Sequence, residues 1–273
     1  IYMPFEKIMK LKIFILIPCF ISSLCFLQSI KGVVLDAITL EPIESASIYY
    51  DNTTVGTASN FKGEFEIEFE SSITSSLIIS FIGYETTIIP DYTSKKFYKI
   101  LLNKSDNKLD EVVIYAFDGM PKKTKLKHFR KHFLGDTKNG KSCTILNEED
   151  LNLRYNKRTR QLVVTSKAPI LVRNDNLQYD IKFDLKNFTI DYGYVNSKKK
   201  LFIANSVLYK GTTFFESIVD DESIHKTREK TYKGSVIHFM RALASNQLKK
   251  EEFKIVCLGY IVDPDNYIRI TKI

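Results

Sequence analysis

The sequence predicts a mainly β chain, with a seven-stranded β-sandwich over residues 30–103 followed by an α+β unit over residues 122–273. Three observations carry this. Between residues 30 and 103 apolar residues recur with period two, and turn residues interrupt them every few positions. Past residue 122 the period becomes helical, returns to two, and becomes helical again. The composition is 44% hydrophobic, with 19 Phe and 15 Tyr, so a core can be buried although Trp is absent.

In the first unit Ile30 to Leu35 reads as a strand ended by Asp36 and the Glu41-Pro42 turn. Ala46 to Tyr50 follows, then Asp51-Asn52 and a short strand around Val55. Phe65, Ile67 and Phe69 alternate with Glu64, Glu66, Glu68 and Glu70, the pattern of a half-buried strand. Leu77 to Phe81, Tyr84 to Ile89 and Phe97 to Leu102 complete the set. The glutamate row resembles a calcium face in composition, but carboxylates two apart on one strand cannot chelate unaided, so a solvated face is expected.

In the second unit Leu126, Phe129 and Phe133 recur at helical spacing, with Gly135 as the stop. Leu151 to Asn156 and Gln161 to Ser166 read as strands. Tyr179, Ile181, Phe183 and Leu185 alternate with charges, Lys186-Asn187 reads as a turn, and Phe188, Ile190, Tyr192 and Tyr194 alternate again, which predicts a hairpin. From Ser235 as cap, Val236, Phe239, Met240 and Leu243 form a helical stripe, and a last strand is expected from Phe253 to Leu258.

From Met9 the chain reads Lys10 and Lys12, then Ile13 to Ile17, and stays mostly apolar to Leu27. A basic head before an apolar run suits a secretory signal peptide, so residues 1–29 are expected to be removed on export, with Ser29 at the cut. Pro18 and Ser22-Ser23 shorten the run below the ~20 residues of a membrane span, and no later stretch is apolar and long enough to be one. Cys143 and Cys257 then remain; their separation fits no local metal motif, and two buried thiols are expected rather than a bridge. The formal charge of +8 is spread along the whole chain, so a solvated cationic surface is expected and nucleic acid is not an expected partner.

Ile30-Lys31-Gly32-Val33-Val34, Glu41-Pro42-Ile43 and Ala46-Ser47-Ile48 resemble the opening of carboxypeptidase-regulatory-like, transthyretin-like domains. Thr54 to Ala58, Asn60-Phe61-Lys62-Gly63-Glu64-Phe65 and Ile79 to Tyr84 are similar to later segments of that family, which usually carries Asp where Asn60 stands. The resemblance implies a sandwich that stabilises or binds and has no chemistry of its own. Residues 104–121 read as a linker, and in it Lys108 to Tyr115 resembles the segment before the plug of Bacteroidota-type TonB-dependent receptors. Glu111, Val112, Val113, Ile114 and Tyr115 are accordingly a candidate edge-pairing strand. The residues after Tyr115 are far too few for a 22-stranded barrel of ~10-residue strands, so the chain is not itself the transporter. Phrases such as Phe133-Leu134-Gly135 and His238 to Leu243 resemble a domain that follows the sandwich in many Bacteroidota exported proteins of unassigned activity, and that resemblance brings no chemistry.

The chain has four His. His128 and His132 stand four apart on the first helix, the spacing of two ligands, but Arg130 and Lys131 lie between them and no Glu stands where a zinc protease needs it. A structural role is expected for the pair. No H-x-x-E pair, G-x-S-x-G, Gly-rich phosphate loop or C-x-x-C occurs, so no catalytic residue, cofactor or metal is assigned. Arg228, Tyr232, His238 and Arg241 form a candidate anion or partner contact, weighed against a basic helix face. The expected function is an exported, non-catalytic binding or scaffold protein of the envelope, with an envelope protein or glycan as partner. The alternatives are a hydrolase of unrecognised type in the second unit, or an accessory of a TonB-dependent outer-membrane transporter.

Overall fold

The structure, a computed structural model, describes residues 28–69, 75–95, 97–105 and 118–269. The expected signal segment up to residue 27, Glu70, and the candidate strand Glu111 to Tyr115 lie outside the described residues, as does the side chain of Phe69.

Seven strands build two facing sheets. β1 (Gln28–Asp36) lies between β4 (Glu64–Phe69) and β7 (Phe97–Leu102). The second sheet has the order β3 (Gly56–Ala58), β2 (Ser47–Tyr50), β5 (Leu77–Ser80), β6 (Thr87–Ile89). Every pairing is antiparallel except β1 with β7, which run parallel, so the layers are not wholly antiparallel. Phe65 and Ile67 turn inward to meet Val34, Ile48, Tyr50 and Ile79, while Glu64, Glu66 and Glu68 face water as the alternation requires. Glu66 is held by Ser29 Oγ at 2.6 Å and Lys31 Nζ at 3.1 Å, a solvated cross-strand pair.

Two motif residues have direct steric or polar reasons. At Gly32 a Cβ would lie 2.4 Å from the Tyr98 carbonyl and 2.6 Å from the Phe65 ring, so the parallel strand and the core ring approach only a bare backbone. Asn60 Oδ1 accepts from the Lys62 and Glu64 amides at 2.9 and 3.0 Å, the bonds a turn carboxylate would make, so Asn replaces Asp there without loss.

In the second unit a sheet runs β8 (Cys143–Ile145), β11 (Ile170–Asn174), β12 (Tyr179–Asn196), β10 (Gln161–Ser166), β9 (Leu151–Asn156), with β13 (Leu201–Ser217) along the other side of β12. The expected hairpin turning at Lys186-Asn187 is overturned: β12 continues through these residues, and the true hairpin joins β12 to β13. Leu185 faces Gly211 and Asn187 faces Lys210, which leaves Lys186 as the extra residue of a β-bulge. A bulge and a two-residue turn both switch the parity of the inward residues, so Phe183 and Phe188 share one core on either reading.

Helix α1 (Lys122–Leu134) ends at Gly135, whose φ of 81° suits glycine, and lays its apolar face on this sheet. Phe129 is fully buried, stacked on Phe133 at 5.0 Å and edge-on to Phe188 at 4.8 Å. The short helix α2 (Lys138–Lys141) follows, and after β13 come α3 (Glu222–Tyr232) and α4 (Val236–Ala244). Beyond them the chain forms a hairpin of β14 (Ile255–Cys257) and β15 (Tyr260–Val262), then α5 (Pro264–Tyr267). The last strand expected at Phe253 to Leu258 is thus shorter and has a partner. The stripe expected on α4 is corrected too: His238 and Ala242 are buried, whereas Val236 and Met240 are exposed. Cys143 and Cys257 are unbridged and half-buried rather than buried. Among the described residues no helix is long and apolar enough to cross a membrane.

The two units meet along a backbone seam. Asn52 N donates to Thr213 O at 2.8 Å, Phe215 N donates to Thr53 O at 3.0 Å, and Asp51 Oδ1 accepts from Thr213 N at 2.7 Å. Tyr49 faces away from the sandwich core and packs on Phe214 at 5.1 Å, with its hydroxyl 3.1 Å from Thr212 Oγ1. The second sheet of the sandwich is therefore covered on both faces.

Two outcomes are expected. Gly32→Ala destabilises by about 1–3 kcal/mol through overpacking against Phe65 and Tyr98, read from urea unfolding. Buried Asp36 is held at a pKa of about 2, first by the Thr39 amide, then by the Tyr84 hydroxyl and the Ile38 amide. An acid depressed on folding stabilises fully above its unfolded value, roughly pH 4, and that contribution disappears as pH falls through about 2. Thermal melts across that window should fall for the native chain, and fall less for Asp36→Asn.

Candidate functional site

The Lys233-Gly234-Ser235 link between α3 and α4 makes a sharp corner: Gly234 adopts a φ of 76°, and Ser235 Oγ caps α4 by accepting from His238 N at 3.1 Å. The corner places Tyr232 and His238 ring to ring at 4.9 Å, and the Arg241 guanidinium stands 5.5 Å from the Tyr232 ring. Three of the four candidate contact residues thus line one cavity of about 130 Å³, together with Ala242, Ser245, Gln247 and Glu251.

Arg228 does not join them. From α3 it reaches back to the hairpin, where Nε donates to Leu177 O at 2.9 Å and Nη2 to Gln178 O at 2.7 Å and Ser217 Oγ at 2.9 Å. Its guanidinium also lies 3.8 Å from the Tyr179 ring centroid. Arg228 is a clamp that holds α3 against the ends of β12 and β13 and leaves little of its fork for a ligand.

The chemistry of the remaining trio follows from its hydrogen bonds. His238 Nδ1 accepts from the Gly234 amide at 3.0 Å, so the ring proton sits on Nε2, which donates to Glu251 at 3.1 Å. Both ring nitrogens are thus engaged in hydrogen bonds within the chain. Ser245 Oγ, on the cavity wall, donates to Arg241 O at 2.7 Å and closes the helix end. Glu251 and Arg241 both line the cavity, so an anion entering there meets a carboxylate as well as a cation. The arrangement is one of packing and mutual orientation. Glu251 could not have been found from sequence, since it lies 13 positions beyond His238 with no periodic link to it.

Elsewhere, His128 and His132 stand 6.3 Å apart on α1, and the His128 ring meets Tyr192 and Phe202 edge-on. Burial holds both imidazoles below the usual histidine range, reinforced at His128 by His132, Lys127 and Lys131. Among the described residues no group of three or more metal-ligating side chains converges. An open cleft of about 780 Å³, unforeseen from sequence, lies near the chain's last hairpin between Phe253, Ile261 and Pro264, and Lys249 at its rim pairs with Asp263 and Asp265 at 2.8 and 2.9 Å.

Arg228→Lys should cost about 1–3 kcal/mol in urea unfolding, because a single ammonium cannot reproduce the fork. The Tyr232–His238 contact should persist, which two-dimensional NMR of the imidazole would read.

Comparison with known proteins places the first unit. The family model for the CarboxypepD_reg-like domain matches residues 30–114. A protein of Bacteroides thetaiotaomicron named TonB-dependent receptor SusC is 30% identical over 115 residues. That stretch is 41% of this chain but 11% of the receptor, so the chain spans only a small part of the curated relative's length. With seven strands among its described residues, its bare Gly32 backbone and its Asn60 turn in place, the stretch that matches, residues 30 to 114, is a carboxypeptidase-regulatory-like domain, and its described part is a β-sandwich.

Proposed function

We propose that the chain is an exported, non-catalytic binding or scaffold protein of the cell envelope that works beside a TonB-dependent outer-membrane transporter. The carrying observation is the 30% identity over 115 residues with a protein named as such a receptor. A segment shared with one part of a large receptor suits a chain that meets such a receptor or supplies a sandwich like the receptor's own.

The geometry supports scaffolding. The backbone seam at Asp51 to Thr53 fastens the sandwich to the long hairpin, so a partner gripping either unit positions the other. What weighs for binding over hydrolysis is the state of His238, whose two nitrogens are both spoken for. Arg228, which a hydrolytic or anion site would have wanted, is committed to the hairpin.

The test is cross-linking of a tagged chain in intact cells, followed by separation of the membranes and mass spectrometry of what is joined to it. Recovery in the outer-membrane fraction, cross-linked to a transporter subunit, is expected, with the recovered chain beginning near residue 30. A chain found in the cytoplasm with its first residues intact would sink the reading.

A further inference from the structure

β13 has a used end and an unused one. Its last residues pair with the Thr53 segment, where Thr53 bridges Phe214 in parallel and two backbone hydrogen bonds flank the bridge. From Leu201 to Gly211, among the described residues, its backbone pairs with β12 on one side and with nothing on the other. A bulge at Asn205 splits this free edge; Ser206 to Gly211 skips no residue of its own, although β12 bulges at Lys186 opposite Lys210 and Gly211, and it leads on to the bridge with Thr53.

An edge strand with unpaired amides and carbonyls is a template for a further strand, and proteins usually blunt it with short length, inward charges or a cover. Here β13 is long, and Ile203, Leu208 and Tyr209 are each more than half exposed. The charge that β13 itself carries over this stretch has one sign, with the Asp191 carboxylate of β12 held by Ser206 Oγ at 3.0 Å. No acidic residue occurs from Leu201 to Phe215, while Lys198, Lys199 and Lys200 fill the adjoining turn and Lys210 sits on the strand. None of these four lysines makes an ion pair among the described residues.

We propose that the edge of β13 from Ser206 to Gly211 is a strand-addition site for an extended segment of a partner protein that carries acidic and apolar residues. The Thr53 segment already pairs with the continuation of this edge, at Thr213 to Phe215. The incoming strand continues that pairing, sets its apolar side chains beside Leu208 and Tyr209, and brings its carboxylates to the lysines. The site stands apart from the transporter reading and fails separately from it, since any partner with such a segment serves.

The test uses the full chain and a capped synthetic probe, Asp-Asp-Val-Thr-Ile-Val, with Lys-Lys-Val-Thr-Ile-Val as its charge-reversed control. Hydrogen exchange should show slower amides within residues 206–211 when the acidic probe is added, with α1 unchanged. Binding should weaken at least tenfold for the control probe, and likewise for Leu208→Glu with Lys210→Glu. Lys210→Glu alone supplies a milder variant if the pair perturbs folding, and should weaken the acidic probe several-fold. No added protection at residues 206–211, or equal binding of both probes, overturns the proposal. So does protection that grows with protein concentration in the absence of any probe, because it assigns the edge to a second copy of the chain.

Discussion

The hairpin of β12 and β13 is the constraint on which the rest of the molecule depends. Its strands are 18 and 17 residues long, about three times an ordinary strand, and the two halves serve different neighbours. The half beyond Lys186 supplies Phe188, Ile190 and Tyr192 to the core under α1. The half before it lies against the sandwich, where Thr212 and Phe214 meet Tyr49. The bulge at Lys186 allows this, because one added residue re-aims the strand while keeping Phe183 and Phe188 on the same side.

The polar groups at the seam explain why the sandwich is not a loosely tethered module. A strand end placed against another unit buries amides and carbonyls, and each left unpaired would cost as much as a lost hydrogen bond. The Asn52, Thr213 and Phe215 bonds settle that debt with backbone partners. Asp51 loses water at the seam, which raises its pKa, and the Thr213 and Asn52 amides partly offset that loss. Arg228 does comparable work at the far end of the hairpin, where it satisfies the carbonyls of Leu177 and Gln178.

The candidate contact cluster was legible only in part. Tyr232, His238 and Arg241 lie within one helical corner, so the spacing and the Gly234-Ser235 link were enough to bring them together. Arg228 stands one helical turn before Tyr232 and looked equally close, but a long side chain goes where buried carbonyls need it. Likewise the α4 stripe followed hydrophobicity, whereas the helix turned His238 inward because the Gly234 amide and Glu251 both bond its ring. The polar bonds outweighed the exposure of Val236 and Met240.

Sequence alone determined some local matters: the strands β9, β10 and both halves of β12, where α1 stops and α4 begins, and that residues 30 to 103 carry the sandwich pattern; it was silent on β8, β11, β13 and α3. These depend on side-chain period, caps and turn residues, all of which act within a few positions. Only the tertiary structure decided that β12 runs through Lys186, that β7 lies parallel to β1, that β13 reaches Thr53, and where Arg228 points. Those outcomes are choices of partner across long stretches of chain. Period two states which face a residue takes and is silent about which backbone lies beside it.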